Sequence, residues 1–420
     1  MLLARKKSLV AKTMAGTASL LMFAAGSALG TGSAGAATRA SHGDKTVTIG
    51  VLTDVTGLAS SGNKESIEGV QAGVAYAKSQ GYKIRYVVGD TTSSPAGALT
   101  AAQKLVEQDH VIAVIAVSSV TFGAAPYLNQ QHVPVIGLEE DADEWVTDLN
   151  MFSVGGIIRE NLVSTVYGKF FKMEGVTTVG TLGYGISPSS SEYAKGVADS
   201  AKQAGLKEGY VNGDFTFGST NVTPVALAMK SAGVNGVYSS VDPNTAFALV
   251  TALSQNGVKP KVALFPTGYG ADLEQGGPNA SQVAQGVYFT LGPEPVEMHT
   301  AATELFQKYL RAAGVSEEPA ESTYDGWGSI GLLLQGLKGA GASPTQSSLL
   351  SALSKVHSWN YLGLWGGRSL NINDRNDTAD ADGPGNCTYM VKYVGKAFRL
   401  VPGADPICGP TIPGLNETPG

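Results

Sequence analysis

The sequence predicts an α/β fold of two lobes, each built on a mainly parallel sheet. Strand patterns alternate with helix patterns over 46–138 and again over about 157–290, which is typical of βαβ units. Three consecutive helix patterns then fill 297–356, and a strand-rich stretch covers 361–411. Because no third alternating block follows, we expect the helices to return to the first lobe and the strand-rich end to the second. The resulting chain crossings would form a hinge.

The first block alternates regularly from Thr46 onwards. Its first helix places Ile67, Val70, Val74 and Ala77 on one face and ends at Gly81. The predicted order of strands and helices is TVTIGVL, KESIEGVQAGVAYAKSQG, YKIRYVVGD, PAGALTAAQKLVEQD, VIAVIAV, FGAAPYLNQQ and VPVIG.

The second block and the segments after it have the same kinds of signal. Helices are predicted for NLVSTVYGKFFKMEG, SSEYAKGVADSAKQAG, VTPVALAMKSAG and PNTAFALVTALSQNG, and strands for VTTVGTLG, VNGVYSS, KVALFPTG and GVYFTLG. The three later helices are EMHTAATELFQKYLRAAG, ESTYDGWGSIGLLLQGLKGAG and PTQSSLLSALSKV.

We assign a signal peptide to 1–36, a linker to 37–45, the first lobe to 46–155 with 292–356, the second lobe to 156–291 with 357–411, and a tail to 412–420.

The amino terminus has the pattern of a secretory signal. Four basic residues within the first twelve precede the apolar, uncharged stretch TMAGTASLLMFAAGSALG, and Ala34 and Ala36 have the spacing of a cleavage site. The alternative is a membrane anchor, but the apolar core is shorter than the ~20 residues that a span needs. No cysteine lies near the cleavage site, so we expect an exported protein, periplasmic or secreted to the cell surface, without a lipid anchor.

The charge and the cysteines limit the partners. Removing 1–36 takes away four basic residues and no acidic ones, so the formal net charge changes from −6 to −10. A dispersed acidic surface argues against nucleic acid and anionic membranes as partners.

The two cysteines, Cys387 and Cys408, are expected to form a disulfide in an exported protein, the alternative being a buried pair of thiols. With only five scattered histidines besides, we predict no metal site and no cofactor.

A cluster of hydroxyls follows the buried strand VIAVIAV. Ser118, Ser119 and Thr121 come directly after it, and ligands of open parallel sheets bind outside the carboxyl ends of strands. Hydroxyls donate and accept hydrogen bonds without adding charge, so they suit a neutral or zwitterionic small molecule. The alternative is a helix cap, for which serine and threonine are preferred.

Several segments together resemble a known family. They include the strand followed by TG, the GD before SPAGALTAAQKLV, the strand that ends in SSVT, and the later segments VYSSVDPNTAFALVTALSQNG, LFPTGYG and TYDGWGSIGLLLQGL. Over nearly the whole chain after the signal, the sequence resembles the type I periplasmic solute-binding proteins of branched-chain amino acid ABC transporters, which are leucine-binding-protein-like. The resemblance implies two Rossmann-like lobes, a three-crossing hinge, a small-molecule ligand, an ABC permease as partner, and a monomer.

The resemblance also implies a set of ligand contacts. The family's carboxylate-binding serine matches Ser118, with Ser119 and Thr121 beside it, and its first-loop contact falls near Ser61. The aromatic cover of the second lobe matches Tyr193. The other contacts fall on the turn with Glu139 and Asp141, on Ser240 and Asp242, and on Thr267 with Tyr269.

Two departures from the family concern charge. The turn that should meet the ligand carboxylate reads LEEDADEW and carries Glu139 and Asp141, unless an insertion turns these acids to solvent. The family's acid that pairs the ligand ammonium is replaced by Thr267. A standard α-amino acid is therefore disfavoured, and a neutral, amide-like or amine-bearing ligand fits better.

Three other functions compete with transport at the level of the sequence. An enzyme is disfavoured because GTLGYG lacks the dinucleotide order G-x-G-x-x-G and no nucleophile elbow or P-loop occurs, so we predict no catalytic residue. An extracellular ligand-sensing domain that feeds a membrane receptor would have the same fold. The acidic loop at 371–386 could bind calcium, but it lacks the first ligand and the closing glutamate of an EF-hand.

Overall fold

The structure is a computed structural model that describes residues 46–138, 143–156, 158–159, 161–316, 318–380 and 383–417. Its strands are β1 Val47–Thr53, β2 Ile84–Asp90, β3 Val114–Val117, β4 Val135–Gly137, β5 Met151–Ser153, β6 Leu162–Ser164, β7 Thr178–Tyr184, β8 Lys207–Phe215, β9 Gly236–Ser240, β10 Val262–Phe265, β11 Tyr288–Leu291, β12 Cys387–Val394, β13 Ala397–Leu400, β14 Ile407–Cys408 and β15 Thr411–Asn416. Its helices are α1 Ser60–Asn63, α2 Ser66–Ser79, α3 Pro95–Glu107, α4 Ala125–Gln130, α5 Glu144–Thr147, α6 Val166–Met173, α7 Pro188–Gln203, α8 Thr223–Ser231, α9 Pro243–Gln255, α10 Ala280–Val283, α11 Ala301–Ala313, α12 Glu321–Ala340 and α13 Gln346–Leu353.

The strands form two main sheets. The first has the order β2-β1-β3-β4-β5, and every neighbouring pair is parallel. The second has the order β13-β12-β11-β10-β9-β7-β8; the pairs from β8 to β11 are parallel, and β12 and β13 are antiparallel additions. Every residue of β3 and of β7 is buried, as expected for strands covered on both faces. The predicted α/β class with two mainly parallel sheets is confirmed.

The late helices pack on the first sheet's side of the molecule. Helix α12 lies against α2, and α11 and α13 lie beside this pair. The backbones of α2 and α12 approach closely because glycine stands at the crossing on both sides. A Cβ on Gly69 would lie 1.9 Å from the Thr323 oxygen, and one on Gly326 would lie 2.2 Å from the Ser66 oxygen. This crossing holds the start of α12 next to the ends of the first sheet's strands.

Three segments connect the two sheets, and hydrogen bonds join them to one another. Trp359 donates its indole N–H to the Val154 oxygen at 2.9 Å, which ties the third segment to the first. The Glu294 N–H donates to the Leu364 oxygen at 2.8 Å, which ties the second to the third. Trp359 also forms an isolated antiparallel bridge with Leu370. The lobe boundaries inferred from the sequence stay a prediction, but these bonds lie where the hinge was expected.

The carboxyl-terminal strands pack on the second sheet. Strand β12 pairs with β11, and Cys387 and Cys408 form the disulfide predicted from the sequence, joining β12 to β14. Strand β15 pairs with β6, so the tail expected at 412–420 begins inside a strand. The same pairing explains why 162–164 are a strand although we predicted a helix over NLVSTVYGKFFKMEG. No helix in the described ranges is long and apolar enough to cross a membrane.

Candidate functional site

A cavity of about 210 Å³ lies where the carboxyl ends of strands from both sheets meet. From the first sheet's side it is lined by Asn63 and Ser119. The second sheet's side contributes Ser240, Asp242 and Thr267, which come at or after the ends of β9 and β10. Further walls are formed by α6, α7, α12, β7, β9 and the connecting segments; their residues include Tyr167, Tyr184, Ser187, Ser189, Ser190, Tyr193, Tyr238, Glu321, Ser322, Asp325, Tyr361 and Trp365.

A buried carboxylate organises the ends of the first sheet's strands. Asp54 is fully buried, and four donors reach its two oxygens. The hydroxyls of Ser118, at 2.7 Å, and Thr91 donate to Oδ1, and the amide of Asn63, at 2.7 Å, and the N–H of Ser119, at 2.9 Å, donate to Oδ2. The donors meet because strands β2, β1 and β3 are neighbours and each ends just before one of these residues. Sequence reasoning missed Asp54, although its place directly after β1 was a signal.

The hydroxyl cluster is therefore divided between two positions. Ser119 lines the cavity, where its hydroxyl accepts a hydrogen bond from Asn63 at 2.9 Å. Ser118 and Thr121 lie behind the lining; the Thr121 hydroxyl donates to the Ser118 carbonyl oxygen at 3.1 Å. Ser61 is also buried behind the lining, and its hydroxyl has no partner among the described residues. Direct ligand contact by Ser118, Thr121 and Ser61 stays a prediction, and one that their positions disfavour.

Four of the five residues predicted on the second lobe do line the cavity. They are Tyr193, Ser240, Asp242 and Thr267. The Thr267 hydroxyl donates to the Val241 oxygen at 2.7 Å, which closes the turn after β10. Tyr269 lies elsewhere: it is buried, donates to Glu297 at 2.7 Å and stacks edge-on against Phe398.

Asp242 is a buried acid at the edge of the cavity. Tyr184 donates its hydroxyl to Asp242 Oδ2 at 2.9 Å. Burial raises the pKa of Asp242 to about 7, and the nearby charge of Asp54 adds to the rise while the Tyr184 hydrogen bond opposes it. The group therefore changes its protonation near neutral pH.

Helix α12 brings a second group of acids that sequence reasoning missed. Glu321 and Asp325 are four residues apart, which places them on one helix face, and both line the cavity. Asp325 accepts a hydrogen bond from Tyr361 at 3.2 Å, and burial raises the pKa of Asp325 to about 7. Burial also raises the pKa of Glu321, with repulsion from Asp325 and Asp272 adding to it. The sequence signal was two acids one turn apart at the start of a helix whose remaining residues, except Lys338, are uncharged.

Two remaining predictions concern loops. Glu139 and Asp141 lie outside the described residues.

In the loop at 371–386, two carboxylates accept backbone hydrogen bonds. Asp377 accepts from the Ala379 N–H at 2.8 Å, and Asp380 accepts from the Gly385 N–H at 2.6 Å. Among the described residues, no three histidines, cysteines or acids are grouped so that they could hold a metal ion.

The comparisons with known proteins concern both the sequence and the fold. A family model described as periplasmic binding protein matches residues 46–396. A comparison with curated protein sequences finds no match.

Solved structures with a similar fold bind different solutes. A leucine-binding protein from Thermotoga maritima MSB8 superposes with a TM-score of 0.68 at 17% identity, over 84% of this chain and 97% of that chain. An ABC-transporter solute-binding protein of R. palustris in complex with 4-hydroxybenzoate has a TM-score of 0.68 at 17% identity, over 88% and 96%. A branched-chain amino acid binding protein of Streptococcus pneumoniae in complex with isoleucine has a TM-score of 0.66 at 19% identity, over 85% and 99%. At these identities the likeness establishes the fold.

Proposed function

Since the chain belongs to the periplasmic binding protein family, whose members bind solutes and are not enzymes, we propose that it is the extracytoplasmic solute-binding component of an ABC importer. It captures a small polar ligand between its two lobes and presents the closed form to a permease. One observation carries the proposal: the cavity is lined by strand ends of both sheets. A ligand that touches both lobes stabilises their closed arrangement through its higher affinity for that state.

The ligand class is inferred from this chain's own residues. The similar proteins are a leucine-binding protein and complexes with isoleucine and with 4-hydroxybenzoate, so the shared fold does not select among these ligands. The cavity combines hydroxyls, carboxyls and tyrosine rings, which suits an amino acid, an amide or an amine of small size. We assign the ligand contacts to Ser119, Tyr193, Ser240, Asp242 and Thr267, with Ser118 and Thr121 as support for the first lobe.

The test begins with the purified protein as the cell makes it. Native mass spectrometry should find a co-purified small molecule, which is then identified and added back to stripped protein. Small-angle X-ray scattering should show a smaller radius of gyration with this solute than without it.

A pair of tyrosine variants locates the binding site. Tyr193→Ala removes a ring from the cavity wall and should bind the solute more weakly and compact less at saturation. Tyr127→Ala is the control, because that half-buried tyrosine does not line the cavity and donates to Glu107 at 2.9 Å. If the wild-type protein binds no solute, or if Tyr193→Ala binds and compacts like the control, the proposed binding between the lobes is wrong.

A further inference from the structure

We propose that the cavity recognises its ligand through a protonated amine, which is seated against Asp325 on α12 and attracted by Asp242 on the wall of the second lobe, and that the ligand needs no carboxylate. This inference rests on the proposed function and specifies the ligand class of the same site. Three observations support it. A buried carboxylate has one oxygen without a partner, the described cavity lining has no basic side chain, and the donors at the first sheet's strand ends already bind a carboxylate of the protein itself.

The start of α12 offers polar atoms that lack partners. Asp325 is 2% exposed, and its Oδ1 accepts from Tyr361 while its Oδ2 has no partner among the described residues. The hydroxyl of Ser322, which is 1% exposed, is unpartnered in the same sense. Both residues line the cavity. A buried acceptor without a donor is costly, so a ligand that brings N–H donors to this wall removes the cost.

The side chains of the cavity lining that can carry a charge near neutral pH are all acids. Asp325 and Glu321 lie on α12, and Asp242 lies on the wall of the second lobe. Within the described part of the chain, the lining contains no lysine, arginine or histidine. An ammonium group would be attracted by these acids, whereas a carboxylate would be repelled.

The resemblance places the carboxylate of an amino acid ligand at Ser118, and in this chain the Ser118 hydroxyl already donates to Asp54. The donors of the first sheet's edge, which include the Ser118 hydroxyl and the Ser119 N–H, point to Asp54. They are therefore committed to a carboxylate that belongs to the protein. A ligand carboxylate would have to displace Asp54 or bind beside it, and both are unfavourable.

The start of α7 is another place that could favour a negative group. Its capping hydroxyl, Ser187 Oγ, already accepts the Ser190 N–H at 3.3 Å, and the Ser190 hydroxyl donates to the Ser240 oxygen. Its first position is Pro188, which has no N–H. Because these polar groups already have partners, the helix terminus is a weak anion site. The carboxyls of the other walls therefore determine which charge the cavity favours in a ligand.

Aromatic rings provide the surface for the rest of such a ligand. Tyr167, Tyr193 and Tyr238 line the cavity, and Tyr167 packs edge-on against the other two, with ring centroids 5.3 Å from Tyr238 and 6.5 Å from Tyr193. Tyrosine rings bind organic cations by their faces and cover apolar groups equally well. An amine with a small apolar body fits this wall.

The protonation of the acids supports the same conclusion. Burial raises the pKa of Asp325 and of Asp242 to about 7. Asp325 faces Tyr361 and Glu321, and Asp242 faces Tyr184 and Asp54, so neither acid has a cationic partner there. A bound ammonium would supply the missing positive charge and favour the ionised forms.

The experiment uses three probes that differ only in charged groups. They are leucine, 3-methylbutylamine, which is leucine without its carboxylate, and 4-methylpentanoate, which is leucine without its ammonium. Benzylamine and benzoate form a second pair. Affinities are measured by calorimetry at pH 7.5 on protein stripped of co-purified solute. Each amine should bind roughly tenfold or more tightly than its acid counterpart, and 3-methylbutylamine more tightly than leucine.

Two variants connect the preference with the proposed carboxylates. Asp325→Asn and Asp242→Asn keep the side-chain shape and should each weaken amine binding roughly tenfold, with little change for a neutral probe such as benzyl alcohol. Asp109→Asn is the control, because that acid forms a surface ion pair with Lys104 at 2.9 Å. Circular dichroism checks that every variant is folded.

The other outcomes overturn the inference in distinguishable ways. If leucine or an acid binds most tightly, the amine preference is wrong but the solute-binding function stands. If an acid binds best and does so more tightly at pH 5.5, protonated carboxyls act as donors to a carboxylate instead. If no probe binds, the amine inference fails, and native mass spectrometry of the unstripped protein decides whether the solute-binding function fails with it.

Discussion

At the scale of single residues, the strand-end hydroxyls serve a carboxylate of the protein itself. Ser118 supplies one of the four hydrogen bonds to Asp54, which is fully buried. In Ser118→Ala a buried charged acceptor loses a donor, and we expect the free energy of unfolding to fall by roughly 1–3 kcal/mol. Urea denaturation at pH 7 measures this loss.

The control for this prediction is a hydroxyl on an exposed helix face. Thr100→Ala removes a hydroxyl that only donates to the Ala96 oxygen one turn back, so its stability should change little. If Ser118→Ala keeps wild-type stability but binds the solute more weakly, then Ser118 contacts the ligand, as the family resemblance implies, and its supporting role is wrong.

The buried acids of the cavity predict an unusual dependence of stability on pH. An unfolded aspartate releases its proton near pH 4, whereas burial raises the pKa of Asp242 and Asp325 to about 7 in the folded protein. Their contribution to stability is therefore fully present below about pH 4 and is lost as the pH rises through 7. The melting temperature of the ligand-free protein should be lower at pH 8 than at pH 6, and Asp325→Asn should reduce the difference. An equal or larger difference in Asp325→Asn would contradict the assignment to this residue.

Residue positions were easier to predict than side-chain directions. The place of Ser118 and Ser119 follows from the end of β3, and it is the predicted place. Which of the two faces the cavity depends on Asp54, which lies 64 residues earlier in the chain and joins them only through the sheet order β2-β1-β3. No local pattern contains that information.

At the scale of elements, the crossing of α2 and α12 positions the acids of the site. Gly69→Ala would place a Cβ 1.9 Å from the Thr323 oxygen, a backbone atom that cannot move alone. We expect α12 to shift, the unfolding free energy to fall by roughly 1–3 kcal/mol or more, and solute binding to weaken because Glu321 and Asp325 move with the helix.

Another helical glycine provides the control. Gly196 lies in α7, and a Cβ there would be 3.5 Å from its nearest neighbour, in ordinary contact. Gly196→Ala should leave stability equal or raise it by up to about 1 kcal/mol through helix propensity. Thermal unfolding and calorimetry of both variants test the pair, and a Gly69→Ala protein as stable as Gly196→Ala would show that the crossing is not tight.

The elements that sequence reasoning missed have weak patterns. Strand β8, at the edge of the second sheet, reads KEGYVNGDF, with two glycines and mainly polar residues, and most of it is partly or fully exposed. Strand β6 forms only because β15, about 250 residues later, pairs with it. By contrast, strands that are buried on both faces, such as β3, read as unbroken apolar runs, and helices with one buried face show a helical period, so both kinds have clear patterns.

At the scale of the whole molecule, hydrogen bonds join the two lobes outside the connecting segments as well. Lys64 of the first lobe donates to Gln275 Oε1 at 3.1 Å, and Gln275 Nε2 donates to Glu65 at 3.3 Å. Gln275 belongs to a short 3₁₀ helix after β10 in the second lobe. Gln275 does not line the cavity, so we expect its bonds to act on the closure of the lobes and not on ligand contact.

The last prediction is that Gln275→Ala weakens solute binding although Gln275 does not line the cavity. Loss of two hydrogen bonds between the lobes lowers the stability of the closed form relative to the open form, and affinity should fall roughly three- to tenfold. The dissociation rate should rise, and the protein should compact less when the solute is below saturation. Gln285→Ala is the control, because that glutamine forms three side-chain hydrogen bonds, one to Ser281 and two with Gly395, all within the second lobe. Calorimetry and stopped-flow measurements with the co-purified solute should separate the two variants. Equal affinities would mean that the hydrogen bonds of Gln275 do not contribute to closure and that the free-energy difference between the open and closed forms is set at the hinge.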